Sequence, residues 1–399
     1  MLLLFLDWLS TILQGSIPAV FSYTSTRMAL AAGVSLLLTI FLGPFFIRKL
    51  YSFKIGQVIR KEDCPLLGEL HAKKENTPTM GGMLILCAIL VSLFVFMNLK
   101  SIFALLLFIT TFGFGLVGGI DDYLKLRYSN TKGLSGRKKL YIQLLFSLLV
   151  VLYLLFPSIQ SLLHFGSWFA PPNVREGFSP SMEIISYSQS MSYIFIPFIK
   201  NPVLSFSGVG LLILLAFYLF VIIGSSNAVN LTDGLDGLAT GLIILVAGCL
   251  ALVAFLSNHL ELAKYLHLLY IEGSGEIAVF LSALIGACLG FLWYNGHPAQ
   301  VFMGDTGSLS LGGILGCSAI LLGREFLLAI IGGVFVIETV SVILQVLSFR
   351  FRNKRRIFLC APLHHHYEYK GWAETKVVLR FWIMGLLLAI LGVASLKFQ

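Results

Sequence analysis

Long apolar runs alternate with short polar connections along most of the chain. An α-helix needs roughly 20 apolar residues to cross the hydrocarbon core of a bilayer, and the runs are close to that length. They predict ten spans, at 28–47, 80–97, 102–120, 140–156, 207–226, 238–256, 277–294, 308–323, 326–349 and 377–396. We therefore expect an all-α, polytopic membrane protein with about ten transmembrane helices, which forms a single integral domain over residues 1–399.

Three segments outside the spans have a character of their own. Residues 1–22 lack a basic leader region and carry Asp7, which favours a peripheral segment over a cleaved signal peptide, with a frayed terminus as the alternative. The proline-rich residues 157–206 are interpreted as an irregular external loop. Residues 350–376 are expected to form a cytoplasmic loop that contains an amphipathic helix.

The composition supports a membrane protein and excludes an ordinary soluble one. Hydrophobic residues make up 57% of the chain and charged residues 12%, and the mean hydropathy is +0.90. The six cysteines lie far apart and lack zinc-ligand spacing. They are interpreted as small buried residues, and they predict neither a disulfide framework nor a zinc site.

Lysine and arginine are concentrated on one set of connections. Most of the 28 basic residues lie at 48–74, 125–139 and 350–380, so the positive-inside rule places these segments in the cytoplasm and both termini outside. The net charge of +9 then follows from topology, and nucleic-acid binding is not needed to explain it. A basic inner face would also attract anionic membrane lipid and phosphorylated substrates.

The stretch NLTDGLDGLA at 230–239 sets two carboxylates among glycines between two long apolar runs. If the stretch is helical, Asp233 and Asp236 share one face with Asn227 and Asn230. Ionised groups at a bilayer boundary are costly and usually mark a pathway or a reaction site. A polar loop between two spans is the alternative.

Two further inner segments carry acids. In GGIDDYLK at 118–125, Asp121 and Asp122 would point about 100° apart on a helix, which predicts different roles, and Lys125 can pair with Asp121 or hold a phosphate. A simple helix-end salt bridge is the alternative. Between Gly and Pro turns, Asp305 is interpreted as an ion ligand, as a helix cap, or as both.

Five of the seven aspartates thus fall on three inner connections that are far apart in sequence. Such a cluster among Lys and Arg suits Mg²⁺ and a polyphosphate, because Mg²⁺ binds through one or two carboxylates together with phosphate oxygens and water. Next to these acids, the basic run at 131–139 makes Lys132 and Arg137 candidate phosphate contacts, although an ordinary positive-inside flank would look the same.

Three consecutive histidines, His364, His365 and His366, lie in the last inner loop. Their spacing is not that of a helical zinc site, so we interpret them as hydrogen-bond donors near a diphosphate, with a His-rich surface loop as the alternative. In the ninth span, Glu338 shares a face with two other polar residues and is interpreted as a contact between helices rather than as a catalytic group.

Five strings, in this order among the spans, carry a family resemblance: TPTMGG at 77–82, GGIDDYLK at 118–125, NAVNLTDGLDGLA at 227–239, VFMGDTGS at 301–308 and LHHHYE at 363–368. Together they make the chain similar to phospho-N-acetylmuramoyl-pentapeptide transferases, a branch of the polyprenyl-phosphate N-acetylhexosamine-1-phosphate transferases. The first and last strings favour this branch over the N-acetylglucosamine-1-phosphate branch.

The chain departs from the family pattern in two places. Asn76 stands where a glycine is expected, and the outer loop 157–206 is longer than usual. Neither departure touches the acidic residues, so they put local loop shapes in doubt and leave the implied reaction unchanged.

The resemblance implies transfer of phospho-MurNAc-pentapeptide from UDP-MurNAc-pentapeptide to undecaprenyl phosphate, which gives lipid I and UMP with Mg²⁺ at the cytoplasmic face of a bacterial inner membrane. Direct in-line attack and an aspartyl intermediate both stay open. Asp305 is the implied metal ligand, and the catalytic residues are expected to be Asp121, Asp122 and Asp305. Expected substrate contacts are Lys125, Asn230, Asp233, Asp236, Asn295, Phe302, His364 and His365, to which the polar pattern adds Lys132, Arg137, Asn227 and His366.

A hypothesis from another class is a secondary transporter or flippase. Such a protein would place ionisable groups near the midplane and would carry two related halves, whereas the acids here lie at one membrane face and no internal symmetry is visible. Release of UMP by the purified protein separates the two hypotheses. The sequence leaves the oligomeric state open, a homodimer included.

The orientation can be tested by cysteine labelling. We expect a cysteine introduced near residue 170 to react with a membrane-impermeant thiol reagent in intact cells, because the 157–206 loop is predicted to be external. The same chain without the added cysteine serves as the background control. Labelling that appears only after lysis would reverse the predicted orientation.

Overall fold

The computed structural model describes residues 19–52, 77–127, 133–166, 168–176, 183–352 and 354–397. After a short 3₁₀ turn at Ala19–Phe21, the helices are α1 (Thr24–Ser52), α2 (Gly82–Phe96), α3 (Ile102–Arg127), α4 (Gly136–Leu155), α5 (Pro157–Leu163), α6 (Tyr187–Ser190), α7 (Gly210–Thr232), α8 (Leu238–Ser257), α9 (Leu260–Tyr265), α10 (Gly275–Asn295), α11 (Gly304–Leu321), α12 (Glu325–Ile331), α13 (Gly333–Phe351), α14 (Leu363–Tyr369) and α15 (Glu374–Ser395). Most of the predicted N-terminal segment 1–22, the inner loop around 53–76, and Lys132 lie outside the described residues.

The predicted all-α membrane architecture is confirmed. Among the described residues, eight helices are long and apolar enough to cross a membrane: α1, α3, α4, α7, α8, α10, α13 and α15. Helix α2 is apolar but has only 15 residues, and α11 is buried at every position from Thr306 to Leu321. Each predicted span therefore overlaps a helix, although the helices differ in how much of their length is buried inside the protein.

The ninth predicted span, 326–349, is wrong as a single helix. It consists of α12 and α13, which are separated at Gly332. Two consecutive glycines, Gly332 and Gly333, lower the helix propensity at this point by roughly 1 kcal/mol each relative to alanine. An apolar run of suitable length does not reveal such a break.

The described part of the proline-rich connection 157–206 contains more secondary structure than its prolines suggested. Strands β1 (Val174–Glu176), β2 (Ile184–Ile185) and β5 (Leu269–Ile271) form an antiparallel sheet in the order β2-β1-β5, and β3 (Tyr193–Ile194) pairs with β4 (Leu204–Ser205). Val174 lies opposite Ile185 on one side and Ile271 on the other, and all three side chains are buried. Cross-strand pairs of β-branched residues stabilise such short strands.

Helices α10 and α11 form the centre of the bundle. Helix α10 packs mainly against α1 and α8, and α11 packs against α3 and α7. One end of the α1–α10 contact holds a buried ion pair, in which Arg27 Nη1 donates to Glu276 Oε1 at 2.6 Å. Glu276 Oε2 also accepts from the backbone N–H of Asn98 at 2.8 Å, so this pair joins three segments at once.

Glycines allow α2 and α3 to approach the start of α11 closely. A Cβ atom on Gly118 of α3 would overlap the backbone of Asp305, and one on Gly82 of α2 would overlap the backbone of Gly307. In contrast, a Cβ on the neighbouring Gly119 would stand 3.8 Å from Thr306 Oγ1, an ordinary contact. Three helices therefore meet with their backbones nearly touching around Asp305.

This close approach predicts opposite outcomes for two adjacent substitutions. Gly118→Ala should lower the thermal unfolding midpoint of the purified protein in detergent, because overpacking typically costs about 1–3 kcal/mol. Gly119→Ala should leave the midpoint unchanged or raise it, since alanine is the better helix former. Equal midpoints for the two variants would mean that the α3–α11 contact tolerates a methyl group.

Candidate active site

The C-terminal end of α3 supplies two buried carboxylates and a lysine. Asp121 Oδ1 accepts a hydrogen bond from the backbone N–H of Leu134 at 2.6 Å, and Asp121 Oδ2 lies 2.6 Å from Lys125 Nζ. The i,i+4 pair predicted from the sequence is therefore present. Because Asp121 is fully buried, the Lys125 ammonium group compensates a charge that water does not reach.

Asp122 has a different role from Asp121, as the 100° offset predicted. Its carboxylate accepts from the backbone N–H groups of Asp305 at 3.1 Å and Thr306 at 2.9 Å, and from Thr306 Oγ1 at 2.7 Å. These donors belong to the first turn of α11, where N–H groups have no partner within the helix. Asp122 thus caps α11 from a neighbouring helix and fixes the position of Asp305.

Asp305 is the point where four segments meet. Its Oδ1 accepts from Asn230 Nδ2 of α7 at 2.9 Å, while its Oδ2 accepts from Lys125 Nζ at 3.1 Å and from Lys139 Nζ of α4 at 2.7 Å. Lys139 also lies 2.9 Å from Asp121 Oδ2. Two ammonium groups therefore bridge the carboxylates of α3 and α11, and we call this group the acid–lysine cluster: Asp121, Asp122, Asp305, Lys125 and Lys139.

The acid–lysine cluster brings together the ligands of a candidate metal site. Carboxylate oxygens of Asp121, Asp122 and Asp305 lie within 4.8 Å of one another. Mg²⁺ prefers hard oxygen ligands, and one or two carboxylates are enough when substrate phosphates supply the others. The three carboxylates outnumber the two ammonium groups, so the cluster keeps a negative charge that suits a divalent cation.

A second group lies at the turn between α7 and α8. Helix α7 ends at Thr232, so the stretch is not helical throughout, and Asp233 and Asp236 lie in a turn and do not share a helical face with Asn227 and Asn230. The half-buried Asp233 follows the last helical residue, and loss of hydration, together with the charges of Asp305 and Asp122, raises its pKa to about 8. Gly237, with a φ of +76°, then redirects the chain into α8.

Asp236 and Asn295 join this turn to the loop before α11. Asp236 Oδ2 is 3.0 Å from His297 Nδ1 and accepts from the backbone N–H of Ala299 at 3.1 Å. Asn295 Oδ1 accepts from the backbone N–H of Gly237 at 3.1 Å and from Thr240 Oγ1 at 3.0 Å. Both side chains therefore hold loop against loop.

Asp236, His297 and Glu374 also bring possible metal ligands within 4.8 Å of one another. Glu374 Oε1 accepts from the backbone N–H of Asp236 at 2.9 Å, which ties the start of α15 to the turn. The imidazole nitrogen makes this group a poorer match for Mg²⁺ than the all-oxygen set of the acid–lysine cluster.

The TPTMGG string packs along the loop that contains Phe302. The backbone N–H of Phe302 donates to the carbonyl of Pro78, and the carbonyl of Phe302 accepts from Gly81, both at 2.8 Å. Gly82 N–H donates to the carbonyl of Met303 at 2.8 Å. The two motifs therefore form one backbone-paired unit directly before Asp305.

The three histidines of α14 face different partners. His364 is fully buried, with its backbone N–H and its ring against Glu338, whereas His365 Nδ1 lies 2.7 Å from Glu368 Oε2. His366 Nδ1 accepts from the backbone N–H of Leu359 at 3.1 Å, and loss of hydration together with Lys370 lowers its pKa. His366 is thus engaged with its own loop.

Two other predicted residues are placed apart from the acid–lysine cluster. Asn227 Nδ2 donates to Gln143 Oε1 at 3.1 Å and to the carbonyl of Ile223 at 2.8 Å, so it links α7 to α4. Arg137 is exposed in the first turn of α4. Residues two apart on a helix point in nearly opposite directions, so Lys139 meets the acids and Arg137 does not.

Sequence reasoning missed several participants: Lys139, Thr306, His297, Glu374 and the partnership of Glu338 with His364. Lys139 belongs to a basic run that positive-inside topology already explained. Where α4 begins determines which of its residues face the acids, and only this distinguishes Lys139 from its neighbours. Thr306 had a usable signal, since it directly follows Asp305 in the GDTG string at the start of α11.

Comparison with known proteins yields a consistent set of relatives. The model of the family described as Glycosyl transferase family 4 matches residues 102–323. Proteins named phospho-N-acetylmuramoyl-pentapeptide-transferase are 61% identical in Protochlamydia amoebophila (strain UWE25), over 410 aligned positions that cover 100% of both chains, and 45% identical in Thermodesulfovibrio yellowstonii, over 95% of both chains. The same name is carried by a relative from Desulfotalea psychrophila that is 45% identical over 95% of both chains.

The family match spans more than half of the chain and includes Asp121, Asp122, Asp233, Asp236 and Asp305. The relatives extend the similarity over 95–100% of the chain at identities of 45–61%. The chain therefore belongs to the phospho-N-acetylmuramoyl-pentapeptide transferase family and is a membrane-embedded transferase.

Proposed function

We propose that the acid–lysine cluster is the centre at which this transferase moves phospho-MurNAc-pentapeptide from UDP-MurNAc-pentapeptide to undecaprenyl phosphate, forming lipid I for peptidoglycan synthesis and releasing UMP. The observation that carries the proposal is the convergence of three carboxylates and two lysines from α3, α4 and α11 on one buried point. Phosphoryl transfer depends on positioning and on neutralising phosphate charge, which such a set of groups provides.

The acceptor side is assigned to Asp121, Lys125 and Lys139. An oxygen of the lipid phosphate attacks the β-phosphorus of the UDP-sugar, the bond from that phosphorus to the bridging oxygen breaks, and UMP leaves. Lys125 and Lys139 can exchange their contacts with Asp305 Oδ2 for phosphate oxygens, since a flexible ammonium group carries several donors. Asp121, held by Leu134, is placed to take a proton from the acceptor phosphate.

Asp305 is the proposed principal ligand of Mg²⁺, with oxygens of Asp121 and Asp122 close by. When bound, the ion supplies Lewis-acid neutralisation of the charge that develops on the leaving phosphate. Asn230 and Asp122 hold Asp305 from both sides, through its side chain and its backbone N–H respectively. The carboxylate is therefore preorganised by protein contacts alone.

The donor nucleotide is assigned to the loops beside the cluster. Asp233 and Asp236 lie in the turn between α7 and α8, and Asn295 and Phe302 lie at the end of α10 and in the loop before α11. Hydrogen bonds of Asp236 and Asn295 hold these two segments together, and the partly exposed ring of Phe302 can stack on a base. His364 and His365 lie in the first turn of α14, and the ring of His364 packs against Gly234. We assign this face to the cytoplasmic side of a bacterial inner membrane, where the basic segments would contact anionic lipid.

The reaction itself can be tested with the purified full-length protein. With UDP-MurNAc-pentapeptide, undecaprenyl phosphate and Mg²⁺, we expect UMP and a lipid-linked product, and none with UDP-N-acetylglucosamine as the donor. UMP release from the second donor alone would move the chain to the N-acetylglucosamine branch. Absence of UMP with either donor would overturn the proposal.

Asp305→Asn should lower turnover by at least about 100-fold, because the amide loses the charge that binds Mg²⁺ and that stabilises the transition state through it. The measurement is UMP release against Mg²⁺ concentration. Glu261→Gln, on exposed helix α9, is the control for removal of one carboxylate. Near-normal turnover with an unchanged Mg²⁺ requirement would contradict the assignment of Asp305.

Lys139→Met and Lys138→Met form a matched pair, because the two lysines are adjacent and, of the two, Lys139 is the one that contacts the acids. Loss of a charge-assisted contact worth about 1.5–3 kcal/mol predicts a fall in kcat/KM of roughly 10- to 150-fold for Lys139→Met. Lys138 is exposed, so Lys138→Met should stay within about twofold of the parent, which surface positions usually do. Equal effects of the two substitutions would mean that Lys139 contributes only to the general positive charge of this region.

A further inference from the structure

Glu338 is a fully buried carboxylate in α13, one of the helices long enough to cross the membrane. A buried acid in such a helix is expensive, and it persists where it pairs with a specific partner. Ser341 Oγ donates to the backbone carbonyl of Glu338 at 2.6 Å, so Ser341 leaves the carboxylate to other partners. The role of Glu338 therefore depends on which group its carboxylate contacts.

Both carboxylate oxygens are directed at His364. Oε1 accepts the backbone N–H of His364 at 3.1 Å, and Oε2 lies 3.3 Å from its Nδ1. The first contact satisfies an N–H group in the first turn of α14, where helices lack internal partners. The second is a close contact outside hydrogen-bond geometry, and the negative charge beside the ring favours the form that carries a proton on Nδ1.

Nδ1 lies beside Glu338 Oε2, and Nε2, on the opposite edge of the ring, packs against the turn between α7 and α8. A Cβ atom on Gly234 would overlap His364 Nε2, so the absence of a side chain there lets the ring lie directly against the turn. Gly234 stands between Asp233 and Asp236, two of the residues assigned to the donor substrate. The ring is thus clamped between a membrane helix and the substrate-binding turn.

We propose that Glu338 is a positioning residue of the transfer reaction: it fixes the orientation and tautomer of His364, whose buried ring then supports Gly234 and the turn that carries Asp233 and Asp236. The proposal rests on the proposed function, because it assigns His364 to the donor side. Glu338 acts only through His364 and touches no substrate. In metal sites, removal of a carboxylate that orients a functional histidine lowers metal affinity or activity by about 10- to 100-fold.

The test uses four variants of the full-length enzyme: Glu338→Gln, Glu338→Asp, His364→Asn, and the double variant that combines Glu338→Gln with His364→Asn. Glutamine keeps the shape and the acceptor for the His364 backbone N–H, but it presents an amide where the charged oxygen was. Glu325→Gln is the matched control, since Glu325 is also buried but lies at the other end of the same broken span. Each protein is measured for kcat, KM and thermal midpoint.

We expect Glu338→Gln to lower kcat/KM by about 10- to 100-fold with a near-parental thermal midpoint, and Glu338→Asp to retain more activity than Glu338→Gln. Glu338→Gln should add less than about threefold on top of His364→Asn, because contacting residues that act as a unit are not additive. Glu325→Gln should leave kcat/KM unchanged. Multiplicative effects of Glu338→Gln and His364→Asn, or a lowered midpoint with kcat/KM intact, would overturn the proposal.

A spectroscopic readout keeps the proposal testable if Glu338→Gln does not fold. In ¹⁵N-histidine-labelled parent protein, the signal that His364→Asn removes should report a protonated Nδ1; an unprotonated Nδ1 would overturn the proposal. This readout needs no substrate. If the parent releases no UMP, the proposed function fails, whereas the ¹⁵N result still decides whether Glu338 orients His364.

Discussion

The contact between the carboxylate of Asp122 and the first turn of α11 is the interaction on which the rest of the site depends. It satisfies three donors at once and places the backbone of Asp305 against Gly118. Because a helix N-terminus carries a partial positive charge, the cap stabilises a buried acid and a buried helix end together. Asp305 can then face Asn230 and two lysines without a flexible loop beneath it.

Two groups of buried charge are compensated within short distances. Arg27 and Glu276 compensate each other at one end of α1, and Lys125 and Lys139 compensate the acids at the C-terminal end of α3. The two solutions differ in their surroundings. The first pair has side chains that are at most 9% exposed, whereas the lysines of the second are 21–31% exposed and can be reached by a ligand. The same chemistry thus serves packing in one place and exchange in the other.

The sequence was sufficient for what depends on local pattern and insufficient for what depends on helix phase. Apolar run length located the spans, and the adjacency of Asp121 and Asp122 predicted their separate roles. The break at Gly332 escaped because an apolar run of spanning length conceals the low helix propensity of two consecutive glycines. The end of α7 at Thr232 escaped because polar residues at three-residue intervals continue the helical pattern into the turn. Lys139 escaped for a different reason: which residue of a basic run contacts the acids depends on packing against α3 and α11, which the run itself does not determine.

The outer sheet has a consequence for the order in which the chain assembles. Strand β1 at Val174–Glu176 pairs with β5 at Leu269–Ile271, so its edge stays open while roughly a hundred further residues are synthesised. At a translation rate of about 5–20 residues per second, that interval lasts several seconds. Helices α7 and α8 lie between the two strands in sequence and must enter the bilayer during the wait. The face of the protein that carries this sheet therefore closes late, and an unpaired strand edge is exposed there until it does.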